Sequence, residues 1–169
     1  MSRSDTMSRS DELMFNEAQE TWTRVHRPYR KNHNSLIYGF TGTQRGATPD
    51  QMACLGALFA ELDVKVLHHG GCHGADTQAH HLALAYNIAT RVHPGPAGTA
   101  CRSDVIYKVE ANLKRNMIIA TLIDGLFATP AQNKEVLRSG TWATIRYARK
   151  QKKRIWIIKL DGTFQEERP

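Results

Sequence analysis

The stretch HHGGCHGADTQAHH, His68 to His81, gathers five histidines, one cysteine and one aspartate around three glycines. Those residue types support two chemistries. Imidazole, thiolate and carboxylate groups hold zinc when three or four of them converge at short range. Glycines just ahead of a helix instead let a phosphate approach backbone N–H groups. The spacing argues against zinc. His68 and His69 are neighbours on an apolar run that reads as a strand, so they point to opposite faces. His80 and His81 lie a turn or more into the next helix, and the segment has no C-x-x-C pair. The expectation is a phosphate or nucleotide cradle with imidazoles at its rim, without a metal ion or other cofactor.

Gly70, Gly71 and Gly74 would form that cradle. Asp76, in the first helical turn, is read either as a helix cap or as a partner for a ribose hydroxyl. Two further segments carry matching chemistry. In TGTQRG, Thr41 to Gly46, Gly42 permits a tight turn, Thr43 and Gln44 offer donors, and Arg45 can pair with an anion. In RSGT, Arg138 to Thr141, Ser139, Gly140 and Thr141 open a helix and Arg138 can clamp a charge. The spacing is not the G-x-G-x-x-G of dinucleotide sites.

These segments need elements to hold them. Apolar runs, LIYGFTG, VKVLHHG, IATRVHP and DGLFATP, each closed by glycine or proline, and RIWIIKL predict five buried strands. Helical patterns fall between them at Thr48–Leu62, Ala75–Tyr86, Glu110–Leu122 and Ser139–Gln151. Continuous rather than alternating apolar strands mean a parallel sheet covered on both faces. The predicted fold class is therefore α/β, a Rossmann-like three-layer sheet of about five strands. Ligands of such sheets sit at the carboxyl ends of the strands, where all three segments lie. Residues 36–160 read as this domain and 161–169 as a tail. Residues 1–35 read as an extension, with Met14, Ala18, Trp22 and Val25 on one face of a helix.

The 169 residues carry 23 Lys+Arg against 16 Asp+Glu, a formal charge of +7, which favours anionic partners. Seven basic residues and no acid lie between Arg146 and Lys159. That run is read as a solvated face, with nucleic acid as the sharper alternative. No stretch reaches the ~20 apolar residues that span a bilayer. Three cysteines, an odd and sparse set, fit free thiols in a reducing cytoplasm. No apolar signal core begins the sequence, so secretion is not expected.

The ordered set GFTGTQRG, HHGGCHGADTQAHHLA, KRNMIIA, DGLFATP and RSGTWATIRYARK resembles the SLOG superfamily, above all its bacterial and phage members. That superfamily includes the Lonely-guy hydrolases, the DNA-processing protein A fold and nucleotide-sensing antiphage domains. The resemblance covers residues 36 to 160. It implies that Gly42 and Thr43 floor a pocket and that Gly70, Gly71 and Gly74 match a G-G-x-x-G loop. It implies further that Asp76 matches the acid of a GAD segment, Arg115 and Asn116 an RN pair, and Gly140 and Thr141 a phosphate contact. A nucleotide-derived ligand and a homo-oligomer are implied with them. The Lonely-guy catalytic glutamate would stand at position 144, where this chain has Thr144. Three functions therefore compete: a nucleotide-binding module, a nucleotide N-glycosidase with Asp76 as its acid/base, and a DNA-binding protein using the basic run.

Overall fold

The computed structural model describes residues 36–169; the helix expected within 1–35 lies outside them. The chain alternates β1 (Ile37–Gly42), α1 (Pro49–Glu61), β2 (Val66–His69), α2 (Ala75–Ala85), β3 (Ala89–Val92) and β4 (Val105–Ile106). It continues with α3 (Asn112–Leu122), β5 (Gly125–Thr129), α4 (Gly140–Lys150), β6 (Arg154–Ile158) and β7 (Phe164–Glu167). One seven-stranded sheet results, in the order β4-β3-β2-β1-β5-β6-β7. All pairs are parallel except β6–β7.

The sheet thus has two strands more than the five expected. β4 is two residues long, too short to register as an apolar run. β7, FQEE, lies in the segment read as a tail; it is polar because it pairs along one edge only.

Local chemistry fixes the helices. Thr48 caps α1, accepting the Gln51 N–H at 3.1 Å while the Gln51 side chain accepts the Thr48 N–H at 2.9 Å. This reciprocal capping box precedes a proline whose missing donor costs nothing there. Ser139 caps α4 by accepting from the Trp142 N–H at 3.3 Å.

Side chains alternate across the central strands. Tyr38, Phe40 and Phe127 face α1 and α2, packing on Leu55, Phe59 and Ala79. Ile37, Leu126 and Ile155 face α3 and α4, packing on Ile119, Trp142 and Ile145. Full burial of each such side chain contributes about 1.5–3 kcal/mol. Both faces are therefore covered, two helices to each. The order also places a switch point at β1: the chain winds outward through β2, β3 and β4, then crosses back to β5 on the other side. A crevice must open where the loops after β1, β2 and β5 diverge.

Candidate functional site

A cavity of about 470 Å³ occupies that crevice. The β1 loop supplies Gly42, Thr43, Gln44 and Arg45. The β2 loop supplies Gly70, Cys72 and Asp76, and α3 supplies Arg115 and Asn116. The loop after β5 and the start of α4 supply Arg138, Ser139, Gly140 and Thr141. The structure therefore brings together twelve of the fourteen residues singled out as ligand-binding. Gly71 and Gly74 do not line the cavity.

Gly71 faces the other way. It adopts φ +64°, and a Cβ there would lie 2.3 Å from Thr99 Oγ1 and 2.7 Å from Val92. Its glycine serves a left-handed turn packed against the segment after β3. Gly74, at φ +82°, precedes α2 and backs onto the Gln44 carbonyl, where a Cβ would lie at 2.3 Å.

The expected cradle is also closed from within. The Gly71 N–H donates to His69 Nδ1 at 3.0 Å, and the Cys72 N–H to Asp76 Oδ2 at 3.2 Å. The Ala75 N–H donates to the Thr43 carbonyl at 3.0 Å, and Gly70 makes a further backbone contact with Asp76. Asp76 neither caps α2 nor stands free: its carboxylate ties the glycine loop together. Burial pushes its pKa up to about 6, against the opposing pull of the Cys72 N–H and the Arg115 charge.

What stays open to an anion lies on the other walls. Arg45 and Arg138 are exposed at the cavity and form no ion pair among the described residues. Glu135, an i,i+3 candidate for Arg138, pairs instead with Arg146 at 3.1 Å and Arg149 at 2.8 Å. Arg115 is 6% exposed, with no carboxylate within ion-pair distance among the described residues. Its Nη1 donates to the His93 carbonyl at 3.3 Å and Nη2 to Asn112 Oδ1 at 3.4 Å, while Nε has no partner. The N-terminus of α4, with its unsatisfied N–H groups and partial positive charge, opens at Gly140 and Thr141. Asp76 is the one acid in the lining. At the position of the Lonely-guy glutamate, Thr144 turns its hydroxyl onto its own helix, donating to the Gly140 carbonyl at 3.0 Å.

Sequence reasoning missed part of the lining. In sequence Cys72 reads only as a metal ligand, and nothing singles out Gln132 or the apolar Phe40, Ile119 and Val136. Phe40 and Ile119 carry core periodicity, and nothing local tells a core residue from one at a cavity wall; Val136 lies in the loop after β5.

The histidines form two buried pairs on opposite faces of the sheet. His68 Nδ1 lies 2.9 Å from His93 Nε2, and His93 stacks on Tyr107. On the other face His69 Nε2 lies 3.0 Å from His80 Nδ1. Burial holds His68 and His69 at about 3, far below the usual imidazole range. Donor atoms of His69, His80 and Cys101 lie within 4.8 Å of one another, a trio that sequence spacing did not reveal. The hydrogen bonds argue against a metal ion there. His69 Nδ1 accepts from Gly71, so its proton sits on Nε2 and points at His80. The Arg102 backbone also interacts with His80. A metal on His69 Nε2 would require a proton on Nδ1, facing the Gly71 N–H.

Three of the seven cations in the basic run, Arg146, Arg149 and Arg154, are paired with distant acids. Arg149 is held by Glu167 and Glu135, each at 2.8 Å, and Arg154 by Glu166. Arg154 also stacks over Trp156.

No protein-family model matches the chain, and no curated protein matches it. Among solved structures, it superposes on the molybdenum cofactor binding protein from the phototrophic bacterium Rippkaea orientalis with TM-score 0.59 at 22% identity. That match covers 74% of this chain and 77% of the other. The Moco carrier protein from Chlamydomonas reinhardtii gives TM-score 0.56 at 24% identity, covering 75% and 76%. DNA processing protein A from Streptococcus pneumoniae gives 0.58 at 19%, covering 73% of this chain and half of that one. At such identities the likeness speaks to the fold alone. No helix among the described residues is long and apolar enough to cross a membrane. Architecture and neighbours agree that this chain has the SLOG-type fold.

Proposed function

We propose that this chain binds a phosphorylated, nucleotide-class small molecule in the cavity at the carboxyl ends of β1, β2 and β5. One observation carries the reading. Arg45, Arg115 and Arg138 surround the cavity with no carboxylate within ion-pair distance among the described residues, whereas Arg146, Arg149 and Arg154 are all paired. Unpaired guanidinium groups beside a helix N-terminus fit a phosphate. The volume falls within the ~300–1,000 Å³ usual for small-ligand sites. Apolar Phe40, Ile119 and Val136 give a ring somewhere to lie. Proteins sharing the fold include carriers of molybdenum cofactor, which supports a small-molecule site.

A second reading rests on Asp76. A carboxyl group near pH 6 at a cavity wall suits proton transfer in N-glycosidic cleavage. Its hydrogen bonds to the glycine loop give it structural work as well, so binding stands first. Pairing of three arginines in the basic run leaves its lysines to carry a DNA-binding surface, so that reading stands third.

The test is calorimetric titration with adenosine monophosphate, NAD and inorganic phosphate, alongside chromatography for released base. Binding without base release supports the first reading. Base release that disappears in Asp76→Asn establishes the second. Neither binding nor release across the panel contradicts both.

A further inference from the structure

We propose that Cys72 is a peroxide-modifiable thiol set in the cavity wall, with the Arg115 guanidinium as the receptor for the oxyanion formed on its sulfur. Two independent features meet there. Cys72 is half-buried and lines the cavity, two residues ahead of the Gly74 that opens α2. Arg115 is more than nine-tenths buried and aims both Nη1 and Nη2 at the sulfur, at 3.5 and 3.6 Å. Its Nε has no partner, and its remaining bonds, to His93 and Asn112, are long. A buried cation so weakly satisfied lacks an acceptor. An oxygen on the Cys72 sulfur would supply one.

The other thiols lack this setting. Cys101 is 4% exposed and packs beside Thr77 at 3.9 Å. Cys54 is half-buried on α1, and burial pushes its thiol pKa up. Reactive cysteines are those in contact with cations and partly accessible; among the described residues only Cys72 of the three contacts a cation, Arg115, and its thiol also hydrogen-bonds the Asp76 carboxylate, which can take its proton.

The chemistry balances with hydrogen peroxide as oxidant. The sulfur attacks one peroxide oxygen, an S–O bond forms and the O–O bond breaks. The departing hydroxide takes the thiol proton and leaves as water. Sulfur loses two electrons, which reduce the peroxide, and the product is a sulfenic acid. A second equivalent gives a sulfinate, whose negative oxygens face the guanidinium. That oxygen would stand where a ligand phosphate approaches Arg115, so oxidation closes the cavity to anions. This last consequence rests on the ligand reading above; the site of modification does not.

The experiment treats the full chain with hydrogen peroxide in the presence of dimedone, followed by peptide mass mapping. The expected result is at least ten-fold more adduct at Cys72 than at Cys54 or Cys101. Equal or greater labelling of Cys54 overturns the proposal, and no variant is needed to see it. Arg115→Gln should slow labelling of Cys72 about ten-fold and leave Cys54 unchanged. An Arg115→Gln protein with native circular dichroism and an unaltered Cys72 rate removes the receptor role. Arg115→Lys keeps a cation, so it should retain the preference for Cys72 if Arg115→Gln does not fold; equal labelling of all three thiols in a folded Arg115→Lys also overturns the proposal. Titration of reduced protein with adenosine monophosphate, run in parallel, separates failure of this inference from failure of the ligand reading.

Discussion

Gly70 makes room for Arg115: a Cβ built on Gly70 would lie 1.8 Å from Arg115 Nη1 and 2.9 Å from Asp76 Oδ2. The guanidinium reaches the cavity wall only because position 70 carries no side chain. Gly70→Ala should therefore displace Arg115 and cost about 1–3 kcal/mol, as overpacking does. Urea unfolding checks the cost, and anion titration checks the displacement. An alanine variant with wild-type stability and wild-type affinity would show that the arginine is not needed there.

Gly71→Val should act through the fold and not through the cavity. The residue has φ +64°, and its missing side chain would strike Thr99 and Val92. The variant should lose several kcal/mol, as left-handed strain and steric overlap add. Thermal melts decide: a stable Gly71→Val chain with a blocked cavity would place the residue at the ligand after all.

Stability should fall on mild acidification. His68 and His69 are held at about 3 in the fold against 6.5 when exposed. The unfolded chain therefore takes up protons first as pH drops below 6.5, each at about 1.4 kcal/mol per pH unit. Asp76 runs the other way: raised from 3.8 to about 6, it favours the folded state as pH falls through 6. Asp76 offsets about one of the two histidines, so the net loss should set in below pH 7 and hold near about 1.4 kcal/mol per pH unit from 6 to 4. Glu135 and Glu166, lowered by their arginines, add a loss only below about 4.5. Urea midpoints at pH 7, 6 and 4.5 follow this curve; a midpoint that rises between pH 7 and 6 rules it out.

Chelators should leave the melting temperature unchanged, and purified protein should carry no stoichiometric zinc. The His69–Gly71 and His69–His80 bonds already use both nitrogens of His69. One tightly held ion per chain, by elemental analysis, would overturn that tautomer assignment.

Much of this was legible in local chemistry. Thr48 with Pro49 marked a helix start, and Ser139 marked another. Glycine and proline after apolar runs marked the strand ends, and so the crevice. Long-range pairing was not legible. The run from Arg146 to Lys159 looks bare in sequence, but its acids come from Glu135 before it and from Glu166 and Glu167 on β7. Gly70 and Gly71 look alike in sequence, but adjacent residues face opposite ways: one opens the cavity and the other packs behind it. The glycine loop reads as an empty phosphate cradle until Asp76 and His69 are seen to occupy its N–H groups.

The central claim is that unpaired arginines at the cavity hold a phosphate. Its most direct test is calorimetric titration of adenosine monophosphate into wild type, Arg138→Ala, Arg45→Ala and a Lys152→Glu control. A hydrogen bond to a charged group contributes about 1.5–3 kcal/mol, so each arginine variant should bind roughly ten- to a hundred-fold more weakly. Lys152 lies beyond the far end of α4 from the cavity, and its reversal should leave affinity unchanged. Wild-type affinity in both arginine variants, or loss of binding in Lys152→Glu alone, would contradict the account.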